Sequence, residues 1–340
     1  MCYNNFIIRK YDKMLRRKDK NRFDGVRKKI TKDAEGDFMK LFDVSSDSTC
    51  DLKKAYIDER NIWFVSLTYT VEKNGQFEDG LDNFTTDEEY VKFYEKLADG
   101  ALSKTSMLNY EAHYQHFLKM AESGVKDAVH FTISSGLSPT FTVANKAAAA
   151  IKELYPDFNL YAVDPLTATV GQGILTEIAC DCRDKGMTAK DTYDYVMSLR
   201  QNVQHCVIPD SLMYLKRGGR VSGLSAAVGT MLNIKPMLAF DEIGKLKTVE
   251  KCRGVKKAFA RVLDYIAAAP VNTQLNKICI VHTNNESAAK ELAAMVEAKT
   301  GVKPAVTIMG PVIGSHVGPG SVSCCWISTV TRTELLSVGV

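Results

Sequence analysis

The sequence has no apolar run that could cross a bilayer, since no window approaches the roughly 18 consecutive apolar residues such a helix needs. Only Phe6-Ile7-Ile8 stands ahead of the first charges, which is no signal-peptide hydrophobic stretch. A cysteine framework is lacking too. The nine cysteines are odd in number and form no Cys-x-x-Cys pair; Cys180 and Cys182 are separated by one residue, and Cys324 and Cys325 are adjacent. A zinc cage and a disulfide scaffold both lack their spacing, so free thiols in a reducing cytoplasm are expected, with no metal or cofactor. Glycine-rich phosphate loops are also missing. No Gly-x-x-x-x-Gly-Lys occurs, and Gly171-Gln172-Gly173 has Thr176 where a dinucleotide fingerprint places its third glycine. No internal repeat or low-complexity tract is present.

The 340 residues suit two domains better than one, because single cores stop growing near about 250–300 residues. A 45% hydrophobic and 25% charged composition is that of an ordinary globular protein. The net charge of +4 hides an asymmetry. Residues 9–32 hold twelve Lys and Arg against Asp12, Asp19 and Asp24, a +9 arm ahead of a body that carries −5. The arm is either a solvated extension or a surface for anionic lipid. No aromatic-interleaved basic stripe follows it, so nucleic acid is not an expected partner.

From Phe38 the pattern is regular. Phe38–Val44 reads as a strand, with Ser45-Ser46-Asp47-Ser48-Thr49 as the polar loop after it. Trp63–Thr70 is a second run of strand formers, and Asn74-Gly75 marks a hairpin turn. Thr86 and Glu89 form a capping box opening a helix that Gly100 ends, and a further helix carries Tyr110, Tyr114 and Phe117. Strand Ala128–Ile133, helix Thr140–Leu154, strand Leu160–Val163 and helix Gly173–Arg183 then alternate, the mark of a parallel sheet with covering helices. Ligands bind such sheets beyond the carboxyl ends of the strands. The second half reads as a mixed-sheet α/β unit: a hairpin of 235–240 and 246–249, helix Val255–Ala268, strand Lys277–His282, helix Ser287–Thr300, and strands Ala305–Met309 and Val322–Ile327 around a glycine-rich loop.

Polar clusters stand where these elements end. Lys104-Thr105-Ser106 lies between two expected helices. Ser134-Ser135-Gly136-Leu137-Ser138 follows a strand and precedes a helix, where hydroxyls and free N–H groups either satisfy an anionic oxygen or cap the helix. Lys216-Arg217-Gly218-Gly219-Arg220 is a basic turn before a small-residue helix; Arg220 either clamps a carboxylate or phosphate or faces solvent. Between Gly310 and Gly320, glycines and prolines hold His316 in a constrained backbone.

In this order the clusters resemble the DegV family of bacterial fatty-acid-binding proteins. Asp47-Ser48-Thr49-Cys50-Asp51 is similar to its opening Asp-Ser motif, and Lys104-Thr105-Ser106 to the start of its Thr-Ser-Gln-Pro-Ser segment. Ser134–Ser138 resembles its Ser-Ser-x-Leu-Ser, Tyr214–Arg220 its Tyr-Leu-x-x-Gly-Gly-Arg, and Ile313–Gly320 its histidine loop. Met107-Leu108-Asn109 departs from Gln-Pro-Ser, Asp164-Pro165 from Asp-Ser, and Pro139 from a glycine.

The resemblance implies a two-domain α/β protein with an N-terminal parallel-sheet domain and a C-terminal mixed-sheet domain. After the basic extension 1–37 come an acyl-chain-binding domain 38–204 and a domain 205–334 that supplies the histidine loop. It further implies a binding subunit, not an enzyme. That subunit buries a long-chain fatty acid, holds its carboxylate at the domain junction through Thr105, Ser135, Ser134 and His316, and presents it to a fatty acid kinase subunit for phospholipid synthesis. Arg220 is a further ligand or partner contact. The alternative is a serine-dependent lipid hydrolase using Ser135, Asp164 and His316, whose chain order agrees with α/β-hydrolases although the Gly-x-Ser-x-Gly elbow is absent.

Overall fold

The computed structural model describes residues 41–222 and 234–337. The basic arm, the residues Phe38–Lys40 of the first expected strand, and the small-residue stretch after Val221-Ser222 lie outside the described residues.

Strand β1 is Asp43–Asp47, so Ser45, Ser46 and Asp47, expected in a loop, belong to the strand. The hydroxyl-rich sequence concealed a central strand because its polar side chains are satisfied internally. Ser45 Oγ bonds His116 Nε2 at 2.8 Å and His130 Nδ1 at 2.9 Å. Asp47 accepts from Thr49 N, Gln172 Nε2 and Ile133 N at 3.0, 2.8 and 2.9 Å. The run expected at Trp63–Thr70 is two strands, β2 (Ile62–Val65) and β3 (Thr68–Lys73). β2 joins β1, β6 (Asp127–Phe131) and β7 (Asn159–Val163) in an all-parallel sheet of order β2-β1-β6-β7.

The expected hairpin belongs to a separate antiparallel sheet, order β4-β3-β5, whose third strand was not expected. Asn74 and Gly75 take φ of 54° and 77°, as a tight hairpin between β3 and β4 (Gln76–Leu81) requires. The third strand, β5 (Leu102–Ser106), contains Lys104-Thr105-Ser106, which is therefore a strand and not an inter-helix loop. Its alternation puts Ser103 and Thr105 on one face.

The helices α1 (Lys54–Glu59), α2 (Asp87–Ala98, with the Thr86–Glu89 capping box), α3 (Tyr110–Glu122), α4 (Thr140–Leu154), α5 (Val170–Asp184) and α6 (Ala189–Leu199) complete the first half. The second half holds a seven-stranded mixed sheet, order β13-β12-β14-β8-β10-β11-β9. These strands are β8 (Val203–Ile208), β9 (Val221–Ser222), β10 (Ile234–Phe240), β11 (Leu246–Arg253), β12 (Ile278–His282), β13 (Ala305–Ile308) and β14 (Val322–Ile327). Helices α7 (Met213–Gly218), α8 (Val255–Ala268), α9 (Glu286–Thr300), α10 (Pro311–Val317) and α11 (Arg332–Ser337) accompany it. The stretch around His316, expected as a loop, is thus the short helix α10, with Pro311 at its first turn where a missing N–H costs nothing.

The layers follow from the burial pattern. α3 and α4 cover one face of the parallel sheet, with Phe117, Met120 and Ile151 inside. Its other face packs on α5 and α6, which meet Val207, Leu238 and Cys325 of the mixed sheet. α5 is buried almost all round because it contacts both β1 and β14, as expected of a helix between two sheets. The far face of the mixed sheet is closed by α8 and α9 over Phe259, Leu292 and Trp326. No described helix is long and apolar enough to cross a membrane.

Candidate functional site

The three sheets converge on one cavity that opens to solvent. Leu67, Thr105, Ile133, Leu215, Phe240 and Ile313 are among the residues on its wall, drawn from both halves of the chain. That wall is mostly apolar, and Arg220 is the only residue with a fixed charge on it among the described residues.

The polar end is built by β5 and α10. Thr105 Oγ1 lies 2.8 Å from His316 Nε2, and one residue along α10 the Ser315 hydroxyl lies 2.7 Å from Ser103 Oγ. Residues alternating on one strand face thus meet two consecutive residues of a helix. Burial, and then the nearby Arg220 charge, push the His316 imidazole down to about 4, so the ring is neutral at pH 7. Thr105 and His316 are half-buried and Arg220 is exposed, which brings this end of the cavity to the surface.

The Tyr214–Arg220 motif divides its work. Tyr214 donates to Leu97 O at 3.2 Å and carries the Arg217 guanidinium 5.5 Å from its ring centre, and Arg217 is not among the residues on the cavity wall. A Cβ at Gly218 would come within 2.3 Å of His316 Nδ1: the imidazole rests on bare backbone. Gly219 ends α7 at φ 66°, and Arg220 follows on the cavity wall, donating to Gly218 O.

α10 is fastened at its start. Gly310 N donates to Asp51 Oδ1 at 3.0 Å, and Tyr94 OH donates to Met309 O at 2.7 Å. Asp82 accepts from Ser48 Oγ at 2.9 Å, and its carboxyl lies so close to Gly310 that a Cβ there would meet it at 2.7 Å. Burial raises Asp51 to about 7 and Asp82 well above the usual carboxyl range. The sequence did not single out Asp82, and Asp51 appeared only as part of the opening motif; both position the histidine helix without lining the cavity. Thr169, at φ 51°, does line it and donates to Asp51 Oδ2. A β-branched residue in that region is a real outlier, the kind of strain found at ligand sites.

Ser134 and Ser135 are not brought to Thr105 and His316. Ser134 Oγ donates to Gly244 O at 2.8 Å in the β10–β11 turn and accepts from Gly136 N at 3.1 Å. Ser135 Oγ donates to Asp164 Oδ2 at 2.5 Å, and Asp164 Oδ1 accepts from Ser135 N at 3.1 Å. From this segment Ile133, Leu137 and Ser138 reach the cavity wall. A hydrolytic relay needs imidazole between serine and carboxylate. Here Ser135 bonds Asp164 directly and His316 bonds Thr105, so the three residues form no such chain. Among the described residues no group of three or more His, Cys, Asp or Glu is arranged to hold a metal ion.

Residues 42–329 match the DegV family, described as uncharacterised proteins. A DegV domain-containing protein of Clostridium perfringens is 32% identical over 286 residues, 84% of this chain and 97% of its own. Among solved structures, a lipid-binding DegV protein of Thermotoga maritima superposes with a TM-score of 0.73 at 26% identity, covering 86% of this chain and 99% of that one. A fatty-acid-binding DegV family protein of Thermus thermophilus gives 0.71 at 25% identity, over 85% and 99%. The family match spans most of the described chain, and its segments are those that frame the cavity: this protein belongs to the DegV family.

Proposed function

We propose that the protein buries a long-chain fatty acid in this cavity, with the carboxylate at Arg220, Thr105 and His316. The observation that carries the reading is a mostly apolar cavity whose one fixed charge among the described residues is cationic and stands beside a paired hydroxyl and neutral imidazole. With the proton on Nε2, His316 donates to Thr105 Oγ1 and leaves the threonine hydroxyl free to donate to an anion. Each methylene buried adds about 0.8 kcal/mol, so the chain supplies most of the affinity and the polar end supplies orientation. The names of the Thermotoga and Thermus relatives point the same way. Ser135 and Ser134 enter as carboxylate ligands only if a bound anion draws their hydroxyls from Asp164 and Gly244 O.

In this reading the protein is a binding subunit that offers the carboxylate to a separate fatty acid kinase. The exposure of Arg220 at the mouth supports that role, since a partner can reach the head group. The unit that supplies α10 was expected from residue 205, inside β8; we place its start just before Val203 so that the strand stays whole. All eight described cysteines are free and buried, which suits action in the cytoplasm. The +9 arm adds a transient contact with anionic membrane, since about 1 kcal/mol accrues per basic residue at such a surface.

The test is native mass spectrometry of protein purified from a lipid-replete host, paired with acyl-phosphate formation by a fatty acid kinase subunit and ATP. Equimolar fatty acid is expected. Thr105→Val should retain most of the lipid but slow acyl-phosphate formation, having lost a hydrogen bond to a charged oxygen worth about 1.5–3 kcal/mol. Protein that is lipid-free from such a host would sink the reading. A wild-type rate in Thr105→Val would move the carboxylate elsewhere.

A further inference from the structure

The cavity is not apolar throughout. On β8, His205 is buried with neither ring nitrogen bonded, and on β14 Ser323 is fully buried with its hydroxyl unbonded. Both line the cavity. The β8–β14 register sets Cys325 opposite His205 and Ser323 opposite Val207, so His205 and Ser323 are diagonal neighbours on one sheet face. The Phe240 ring lies beside the imidazole, tilted 39° to it with the ring centres 5.5 Å apart. Buried polar side chains almost always have partners, and two neighbouring exceptions on one ligand wall call for an explanation. Burial holds His205 far below its ordinary range, near 3, so its ring is neutral and offers one N–H donor and one lone pair.

We propose that this pair reads a hydrogen-bonding oxygen on the acyl chain, so that the preferred ligand is an oxygenated fatty acid, with a hydroxyl or keto group partway along it. A chain hydroxyl would donate to the bare imidazole nitrogen and accept from Ser323 Oγ; a keto oxygen would accept from the ring N–H and the serine hydroxyl. The depth of the function follows from the fold. Only residues 318–321 separate α10 from β14, so Ser323 sits near the carboxylate end, and His205 lies one strand repeat deeper. A saturated hydrocarbon leaves both groups unpaired when it seals the cavity, and a site built to bond a substrate oxygen discriminates against an analogue without it.

This inference rests on the fatty-acid reading, and the test keeps the two apart. Delipidated wild-type protein, Ser323→Ala and His205→Phe are titrated with stearic acid, oleic acid and a series of hydroxystearic and oxostearic acids differing in the position of the oxygen. At one position the oxygenated acid should bind wild type roughly tenfold more tightly than stearic acid, the range of a hydrogen bond or two. Both variants should erase that preference while binding stearic acid at least as well as wild type. Thermal melting confirms their folding, and Ser323→Ala, a one-atom deletion, carries the test if His205→Phe does not fold. Equal binding of stearic acid and every oxygenated acid overturns the proposal, as does a preference that survives both variants. Binding of none of the acids overturns the underlying reading instead.

Discussion

Gly218 is where sequence and site meet most directly, because the motif requires glycine there for contact, not for backbone freedom. The residue ends α7 in a helical position, where alanine is the better helix former by about 1 kcal/mol. Its added methyl, however, would fall 2.3 Å from His316 Nδ1, and the ring can yield only by leaving Thr105 Oγ1, now 2.8 Å from Nε2. Gly218→Ala should therefore leave the melting temperature within a few degrees of wild type and weaken fatty-acid binding by up to about tenfold, because a Thr105 hydroxyl no longer held by His316 is not oriented to donate to the carboxylate. Calorimetric titration beside a thermal melt separates the two effects. Unchanged affinity would show that the imidazole's present position is not the one the ligand uses. His316→Gln makes the companion measurement: a donor is retained but the ring is not, so an intermediate affinity is expected.

At the scale of elements, helix α3 covers a cluster of three histidines that the ligand site does not involve. His113 and His116 on α3 face His130 on β6, with ring centres 5.6 and 5.9 Å from it. His113 has no partner at either nitrogen and stacks on Phe117. Burial lowers His113 to about 4 and His116 to about 3, so both are neutral in the fold. Their contribution to stability is present above the unfolded value near 6.5 and is lost as pH falls through the folded values, because the unfolded chain binds the protons first. Asp51, raised to about 7, acts in the opposite sense: its contribution is present below 3.8 and lost as pH rises through 7. His113→Phe removes one depressed group while keeping the stack, so its stability relative to wild type should improve by about 2 kcal/mol between pH 7 and pH 5. Urea titrations at the two pH values measure this, and a difference that does not change with pH would mean that His113 is already protonated or hydrated in the fold. The same elements show what the sequence made legible. Helical periodicity located Thr140–Leu154 and Val255–Ala268 to the residue, and Val322–Ile327 was legible as a short, mostly apolar run buried on both faces. It failed at β1, where Ser45, Ser46 and Asp47 satisfy one another's neighbours, and at β5, whose side chains are mostly polar. The glycine-proline frame and the resemblance pointed to His316, and the resemblance to Thr105, which lie 2.8 Å apart on the cavity wall, yet no spacing rule could have pointed to His205 or Ser323, which acquire meaning only from β8–β14 register.

For the whole molecule, the cavity joins parts of the chain as far apart as Leu67 and Ser323, and its wall includes strands from the antiparallel and mixed sheets together with the loops at the carboxyl ends of the parallel one. A ligand that fills it is bound only by the assembled fold, so it should stabilise that fold by mass action, about 2.7 kcal/mol at a hundredfold excess over its dissociation constant. The size of the effect should track the apolar area the ligand removes from water. Within a series of saturated acids, each added methylene contributes about 0.8 kcal/mol until the cavity is full. The melting temperature of delipidated protein, measured at one fixed ligand concentration from eight to eighteen carbons, is therefore expected to climb steadily and then level off. The carbon number at the break measures the usable depth of the cavity. An increment that is the same for all chain lengths would mean that only the head group is held and the chain stays in water. A climb with no break would mean that the chain leaves the cavity and runs along an apolar surface. With Arg220→Ala the whole curve should shift down by a constant amount without moving the break, because in the proposed pose Arg220 meets only the head group while the chain lies along the apolar part of the wall.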